Sequence, residues 1–382
     1  MKIFATCAPG IEEMLAQELR RLGATKVRAA SRGAEASGGP MLLWRANVES
    51  RLAERILVPI GGGPANNPDA VYHTALKVDW KRYLPKGKTF AIDASVGAST
   101  INNRIFLSQR IKDGIVDRLR KDRGERPNVN PKHPDVWIRA RLYKDRLSLS
   151  WDASGHALHQ RGYRTEAGVA PLRETLASAV LLSAGFDGAE ALLDPMCGAG
   201  TLVIEGAQIA QRIPPGLAAA QKEGFAFQKS ARFDARGFGD YLEELESMIR
   251  PQADHRLVGS DRDSAIVAIA RRNAQRAGVE DSIRWNAGDY SERLPLDTQT
   301  LVVVNPPFGQ RLGEQERAKG LIKALGDHLK SEFAGHRAAM ILGSNTLVGA
   351  VGLKPSKRLP VRFAKLDARI VVFDLYAGSR KS

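Results

Sequence analysis

The sequence predicts an α/β protein whose C-terminal half is a doubly wound, mostly parallel sheet preceded by smaller mixed units. Three observations predict it. Beyond about residue 161, short apolar runs alternate with helical stretches. The first of those runs passes through a glycine turn directly into a helix. The first 160 residues carry brief strands and amphipathic helices punctuated by Gly and Pro.

The elements follow in order. Residues 2–7 read as a short strand, broken by Ala8-Pro9-Gly10. Ile11, Met14, Leu15, Leu19 and Leu22 then recur at helical spacing until Gly23. Residues 26–30 read as the next strand, 41–44 as another, and 48–58 as a helix. Gly61-Gly62-Gly63-Pro64 reads as a linker or a tight crossing. A second unit holds strands at 89–96, 136–142 and 146–151, an amphipathic helix at 104–120 and a polar loop at 121–134. The later strands are 191–194, 256–261, 283–286, 301–305 and 338–342. Residues 212–255 form an insert with a helix around 241–249, whose role the sequence leaves unread.

Composition bounds the function classes. A length of 382 residues suggests two or three domains, and 43% hydrophobic with 26% charged residues fits a globular chain with a sizeable core. No apolar run approaches the roughly 20 residues of a membrane span, and the N-terminus lacks a secretory h-region. Two distant cysteines, Cys7 and Cys197, exclude a disulfide scaffold and a cysteine-rich zinc site, and the seven histidines show no ligand spacing. No metal is expected, and a reducing cytoplasm fits best. The net charge of +15 is uneven: residues 1–160 carry 27 basic and 16 acidic side chains, residues 161–382 carry 30 and 26. That asymmetry predicts that the N-terminal part meets a polyanion. Lys81, Arg82, Lys86, Lys88, Arg104, Arg110, Arg139 and Arg141 are the candidate contacts to it, although any one alone reads better as a solvated surface charge.

Four motifs carry the chemistry. In Asp194-Pro195-Met196-Cys197-Gly198-Ala199-Gly200-Thr201, the glycines admit close backbone approach and the following helix N-terminus favours a carboxylate. The acid opening that turn, in place of G-x-G-x-x-G, favours an amino acid–nucleoside with a cationic centre over a dinucleotide. Asp261 ends an apolar strand where parallel sheets grip ribose, while Asp263 reads as a helix cap. Asp289 follows another strand and is placed either to accept from an adenine amine or simply to close a turn. The deciding motif is Val302-Val303-Val304-Asn305-Pro306-Pro307-Phe308-Gly309. Asn305 Oδ1 and the Pro306 carbonyl can accept from one exocyclic amine, proline keeps the loop rigid, and Phe308 offers a stacking face.

Asp194–Thr201 with Asn305–Phe308 resembles the motif pair of class I S-adenosylmethionine-dependent amino methyltransferases. The longer runs Arg161-Gly162-Tyr163-Arg164, Ala170-Pro171-Leu172-Arg173-Glu174-Thr175-Leu176-Ala177 and Asn305-Pro306-Pro307-Phe308-Gly309-Gln310-Arg311-Leu312-Gly313 are similar to bacterial 23S rRNA guanine-N2 methyltransferases with a THUMP domain. The resemblance covers essentially the whole chain. It implies a ferredoxin-like segment at 1–60, a THUMP RNA-binding domain at 64–155 and a Rossmann-like class I methyltransferase domain at 161–382, in the form with a single methyltransferase module. It implies S-adenosylmethionine as cofactor and 23S rRNA as partner, with no membrane or metal. Asp194, Met196, Gly198, Gly200 and Thr201 would line the methionine moiety, Asp261 the ribose and Asp289 the adenine. Thr165 and Pro171 would contact the cofactor from the preceding segment, and Asn305, Pro306 and Phe308 would hold the guanine. Cys197 would not be a nucleophile, since amine methylation needs none. Three alternatives stay open: a tRNA guanine-N2 methyltransferase, an adenine-N6 nucleic-acid methyltransferase, and a non-catalytic RNA-binding assembly factor.

Overall fold

The computed structural model describes residues 1–165, 172–230, 233–251, 256–296, 299–307, 314–363 and 366–376. Among these residues the chain forms two seven-stranded sheets. The first has the order β2-β3-β1-β4-β7-β6-β5. Its strands are β1 (Lys2–Thr6), β2 (Thr25–Ala30), β3 (Gly33–Ser37), β4 (Arg55–Pro64), β5 (Phe90–Gly97), β6 (Val136–Tyr143) and β7 (Arg146–Asp152). Helices α1 (Glu12–Arg21), α2 (Met41–Val48), α3 (Pro68–Leu76) and α4 (Arg104–Arg123) connect them. Side-chain alternation decides which face is covered. Ile138, Ala140 and Leu142 of β6 share a core with Leu107, Ile111 and Leu119 of α4. Trp137, Arg139, Arg141 and Tyr143 therefore point to the opposite face.

Three expectations in this region are corrected. Residues 41–44 are the first half of α2, because Leu42, Leu43 and Ala46 are buried at helical spacing. Most of 48–58 is not helical: Ser50 Oγ accepts from Ala53 N in a turn, and β4 then begins at Arg55 and pairs with β1. Residues 61–64 are not a linker but the second half of β4, opposite β7. The glycines serve close approach. A Cβ on Gly61 would lie 2.6 Å from Val78 Cγ2, and one on Gly62 would lie 2.6 Å from the Leu147 carbonyl oxygen.

The second sheet has the order β10-β9-β8-β11-β12-β14-β13. Its strands are β8 (Ala191–Asp194), β9 (Leu257–Asp261), β10 (Ile283–Ala287), β11 (Thr300–Val304), β12 (Arg337–Leu342), β13 (Lys357–Phe363) and β14 (Leu366–Asp374). The first five run parallel, as the alternation predicts, while β14 pairs antiparallel with β12 and with β13. Helices α5 (Glu174–Ser183), α6 (Thr201–Ala210), α7 (Leu217–Lys222), α8 (Ala235–Ser247), α9 (Ser264–Arg276), α10 (Glu314–Glu332) and α11 (Asn345–Ala350) complete this half. β8 and β11 are buried along their whole length, consistent with a sheet covered on both faces.

The insert after α6 packs against the N-terminal half. Phe238 meets Trp44 edge-on at 5.3 Å, Phe225 stacks on His156 at 5.3 Å, and Tyr241 Oη donates to Glu49 at 2.8 Å. Beside it lies a buried polar knot. Glu205, 0% exposed, accepts from Tyr163 Oη at 3.0 Å and Ser178 Oγ at 2.7 Å, with Arg51 and Arg161 each 3.9 Å away. Arg51 also donates to the Gln208 and Ile213 carbonyls.

Candidate active site

The site is built at the C-terminal ends of four adjacent strands, β11-β8-β9-β10. Register sets its spacing. Val302 pairs with Leu193 and Asp194 with Gly259, so Asn305 and Asp261 both lie two residues beyond the level of Asp194, on either side of it. Strand geometry then separates the Asn305 and Asp194 backbones by about 8 Å. Asp289 follows β10, and the four positions form one row about 14 Å long.

The glycine turn is held from three directions. Cys197 N donates to the Ser260 carbonyl at 2.8 Å, Gly198 N donates to Asp261 Oδ2 at 3.1 Å, and Asn273 Nδ2 donates to the Ala199 carbonyl at 3.1 Å. Gly198 and Gly200 sit at φ +52° and +86°, the left-handed region that favours glycine. Their surroundings differ. A Cβ on Gly200 would lie 3.1–3.3 Å from Ala270, Ile204 and the Trp285 ring, whereas one on Gly198 would meet nothing within 4 Å. Gly200 is a packing glycine, and Gly198 faces open space. Thr201 starts α6 behind the turn and is buried.

Asp194 is 1% exposed and accepts from Met196 N at 3.3 Å. Burial, reinforced by the Asp261 charge, pushes its carboxyl well above the usual range. Burial likewise pushes the Cys197 thiol well up, with Asp194 and Asp261 adding to it, so this cysteine is not a ready nucleophile. Asp263 caps α9 through Ala265 N, as its position predicts. Asp289 accepts from Ser291 N and Oγ, which hold its carboxyl below the usual range. It closes a turn.

Asn305 stands just past β11 and half-buried, with Pro306 buried beside it. Its Oδ1 is buried and has no hydrogen-bond partner among the described residues. A buried acceptor left unpaired costs about 1–3 kcal/mol, so its retention here points to a ligand donor. Phe308 and Pro171 lie outside the described residues. Thr165 is exposed at the edge of the described segment. Its neighbour Arg164 reaches the site instead, donating to the Leu172 carbonyl at 2.6 Å and to Thr201 Oγ1 at 3.4 Å, and pairing with Glu174 at 3.3 Å. Burial lifts the Glu174 carboxyl to about 7 against the pull of Arg164. Asn273 and Trp285 were not singled out by the sequence reading. Gly259 in mid-strand was the available signal for Trp285, since a Cβ there would lie 2.6 Å from its ring.

The eight candidate RNA contacts do not form one patch. Lys86 pairs with Glu125, Lys88 with Asp135, Arg110 with Asp69 and Asp113, and Arg139 with Asp93 and Asp152. Lys81, Arg82, Arg104 and Arg141 are exposed and have no carboxylate partner among the described residues. Arg104 and Arg110 belong to α4, whereas Arg139 and Arg141 stand on the opposite face of the sheet. No group of His, Cys, Asp and Glu among the described residues is arranged to hold a metal ion, and no helix among them is long and apolar enough to cross a membrane.

Comparison with known families settles what this geometry belongs to. Residues 161–371 match the family described as "RMKL-like, methyltransferase domain". The chain belongs to that methyltransferase family. Ahead of this domain, residues 65–152 match the THUMP domain and residues 2–57 the RlmL ferredoxin-like domain. Curated relatives of this methyltransferase include the ribosomal RNA large subunit methyltransferase K/L of Syntrophotalea carbinolica, 36% identical over 98% of this chain and 54% of its own length. The protein of the same name from Shewanella oneidensis is 36% identical over 100% of this chain and 54% of its own. The chain thus spans about half the length of the curated relatives it matches. Among solved structures, a "possible methylase" from Clostridium difficile 630 is 27% identical with a TM-score of 0.89, covering 100% of this chain and 99% of the other. Another, complexed with SAH, is 26% identical with a TM-score of 0.87, covering 100% and 99%.

Proposed function

We propose that this chain transfers a methyl group from S-adenosylmethionine to the exocyclic N2 amine of a guanine in large-subunit ribosomal RNA. The observation that carries the reading is the Oδ1 of Asn305 just past β11, buried and without a partner among the described residues, beside the Pro306 carbonyl in a stretch where neither proline brings a backbone N–H. The rRNA methyltransferase relatives and the SAH-bound structural neighbour supply the substrate and cofactor class. The residues present fit such a cofactor: the space in front of Gly198 is open, and the α6 N-terminus favours a carboxylate.

When bound, S-adenosylmethionine supplies an electrophilic sulfonium methyl group. The chain's own residues supply position and charge. The guanine amine is a poor nucleophile because its lone pair is delocalised into the ring. Asn305 Oδ1 and the Pro306 carbonyl accept its two N–H groups and turn the lone pair out of the acceptor plane. Positioning of this kind can supply several kcal/mol. Both acceptors carry partial negative charge, which stabilises the positive charge that grows on the nitrogen. The proton passes to solvent, because the nitrogen turns cationic as the N–C bond forms and such an aryl ammonium is a strong acid. Asp261 binds the ribose and Asp289 the adenine, Asp194, Met196, Gly198, Gly200 and Thr201 flank the methionine moiety, Thr165 and Pro171 contact the cofactor, and Phe308 stacks on the guanine. Residues 1–60 and 64–155 deliver the RNA, and residues 161–382 carry the chemistry.

The test is methylation of deproteinised 23S rRNA and of total tRNA with methyl-labelled cofactor, followed by nucleoside mass spectrometry. N2-methylguanosine in 23S rRNA is expected. N6-methyladenosine, label confined to tRNA, or no transfer with cofactor bound would each overturn the assignment.

A further inference from the structure

The reacting end of the second sheet extends beyond Asn305 in the direction away from β8, β9 and β10. Val304 of β11, Met340 of β12, Val371 of β14 and Arg358 of β13 lie in one row across four strands. Two residues further along β12, Leu342 pairs with Arg369 of β14, which in turn pairs with Pro360 of β13. Arg369 therefore stands at the level of Pro306, two strands and about 10 Å away from it. Arg358 lies two residues before Pro360, so both arginine side chains leave the same face of the sheet. Asp261 and Asp289, at the ends of β9 and β10, flank Asn305 on its other side.

The two guanidiniums converge on one neutral oxygen. Arg369 Nε donates to Asn345 Oδ1 at 3.0 Å, and Arg358 Nη2 donates to the same atom. Asn345 follows the end of β12 by three residues, so the meeting point is on the side of the sheet where Asn305 emerges. Arg369 Nη1 donates to the Ala368 carbonyl at 3.0 Å. Nε and Nη1 of Arg358 and Nη2 of Arg369 have no acceptor among the described residues. Neither arginine meets a carboxylate among them, because Asp367 of β14 pairs instead with Arg362 at 3.2 Å. Arg358 and Asn345 are exposed. Two like charges are thus drawn together without a counter-charge, and the donors left over suit an anion that offers several oxygens at once.

We infer that Arg358 and Arg369, gathered by Asn345, clamp a backbone phosphate next to the target guanosine. A base that reaches Asn305 has left its helix, and its strand must be held while the amine reacts. With the cofactor over β8, β9 and β10, the sugar–phosphate chain leaves the pocket over β12, β14 and β13, where the arginine pair stands. A phosphodiester presents two unesterified oxygens to a forked donor, which a guanidinium matches in shape as well as charge. The clamp rests on the reading of a guanine at Asn305 and adds to it the residues that hold the strand.

The test uses the full chain and fluorescence anisotropy of a labelled oligouridylate carrying a single guanosine. A second probe has uncharged methylphosphonate linkages on either side of that guanosine. Arg358→Gln with Arg369→Gln keeps an N–H for Asn345 and removes both charges. The methylphosphonates should weaken binding to the unaltered chain by about 10-fold to 100-fold and change binding to the variant little. The variant should also flatten the slope of log affinity against log salt by about 0.7. Its melting temperature and S-adenosylmethionine binding should not move, and each single variant repeats the comparison if the double variant melts early. Equal methylphosphonate sensitivity in both proteins would overturn the inference, as would an unchanged salt slope. Competition by inorganic phosphate that needs the arginines, without methylphosphonate sensitivity, would mark a free-anion site and overturn it too. Sensitivity that appears only when adenosine replaces the guanosine would refute the guanine reading and leave the clamp standing.

Discussion

Replacing Asn305 by Ala separates a catalytic acceptor from a structural one, because the two roles predict opposite signs for stability. Oδ1 is buried without a partner among the described residues, so the folded chain carries an unpaired acceptor worth about 1–3 kcal/mol against it. Truncation removes that penalty but also loses the packing of the remaining side-chain atoms. The two nearly cancel, and the net is between zero and about 1 kcal/mol in favour of the variant. For a domain near 200 residues that is a melting temperature unchanged or raised by about 2–4 °C. Catalysis should move the other way. Loss of one preorganised partner of developing charge costs about 3–4 kcal/mol, a fall of about 10²–10³ in turnover. The assay pairs thermal melting, with and without S-adenosylmethionine, with single-turnover methyl transfer. The cofactor-induced rise in melting temperature should survive. Turnover within tenfold of the wild type would refute the reasoning. A melting temperature several degrees lower would also refute it, since Oδ1 would then be satisfied within the fold.

Gly198→Ala places a methyl group where nothing lies within 4 Å and asks for a left-handed alanine at about 1–2 kcal/mol. Melting should fall by a few degrees while cofactor affinity, read by calorimetry, falls disproportionately. Glu205→Ala strips the acceptor from Tyr163 and Ser178 and leaves Arg51 and Arg161 uncompensated. It should lower unfolding free energy by about 3–5 kcal/mol in denaturant titration. Glu174 holds its proton up to about 7 when folded, against 4.5 when exposed. The folded state thus binds the extra proton, and stability from this group is full below pH 4.5 and lost as pH rises to about 7. The difference is about 3 kcal/mol, and Glu174→Gln should abolish that slope in melting curves taken from pH 4 to 8.

The parallel half was readable because its central strands are buried on both faces and announce themselves as unbroken apolar runs, Val302-Val303-Val304 above all. The turn after β8 and the loop after β11 were readable because glycine and proline mark backbone that side chains could not build. The N-terminal sheet was harder. Gly61-Gly62-Gly63 looks like a linker in one dimension, yet Gly61 and Gly62 are dictated by neighbours from elsewhere in the chain, Val78 and Leu147. Residues 41–44 are apolar enough for a strand, and only contacts with distant segments tip them to helix. Charge misled in a similar way. Lys88 and Arg139 count toward the basic excess, but their carboxylate partners, Asp135 and Asp152, lie 47 and 13 residues away. Asn273 carried no signal at all, since its task is to grip a carbonyl 74 positions earlier.

β4 is paired on one side with β1 and on the other with β7, so a single ten-residue strand is the seam between the two N-terminal units. Neither unit can be excised without leaving the other a raw ladder of unmet amides and carbonyls, the kind of edge that recruits a second chain. A graft that borrows the N-terminal half for another enzyme must therefore carry both units across as one plank.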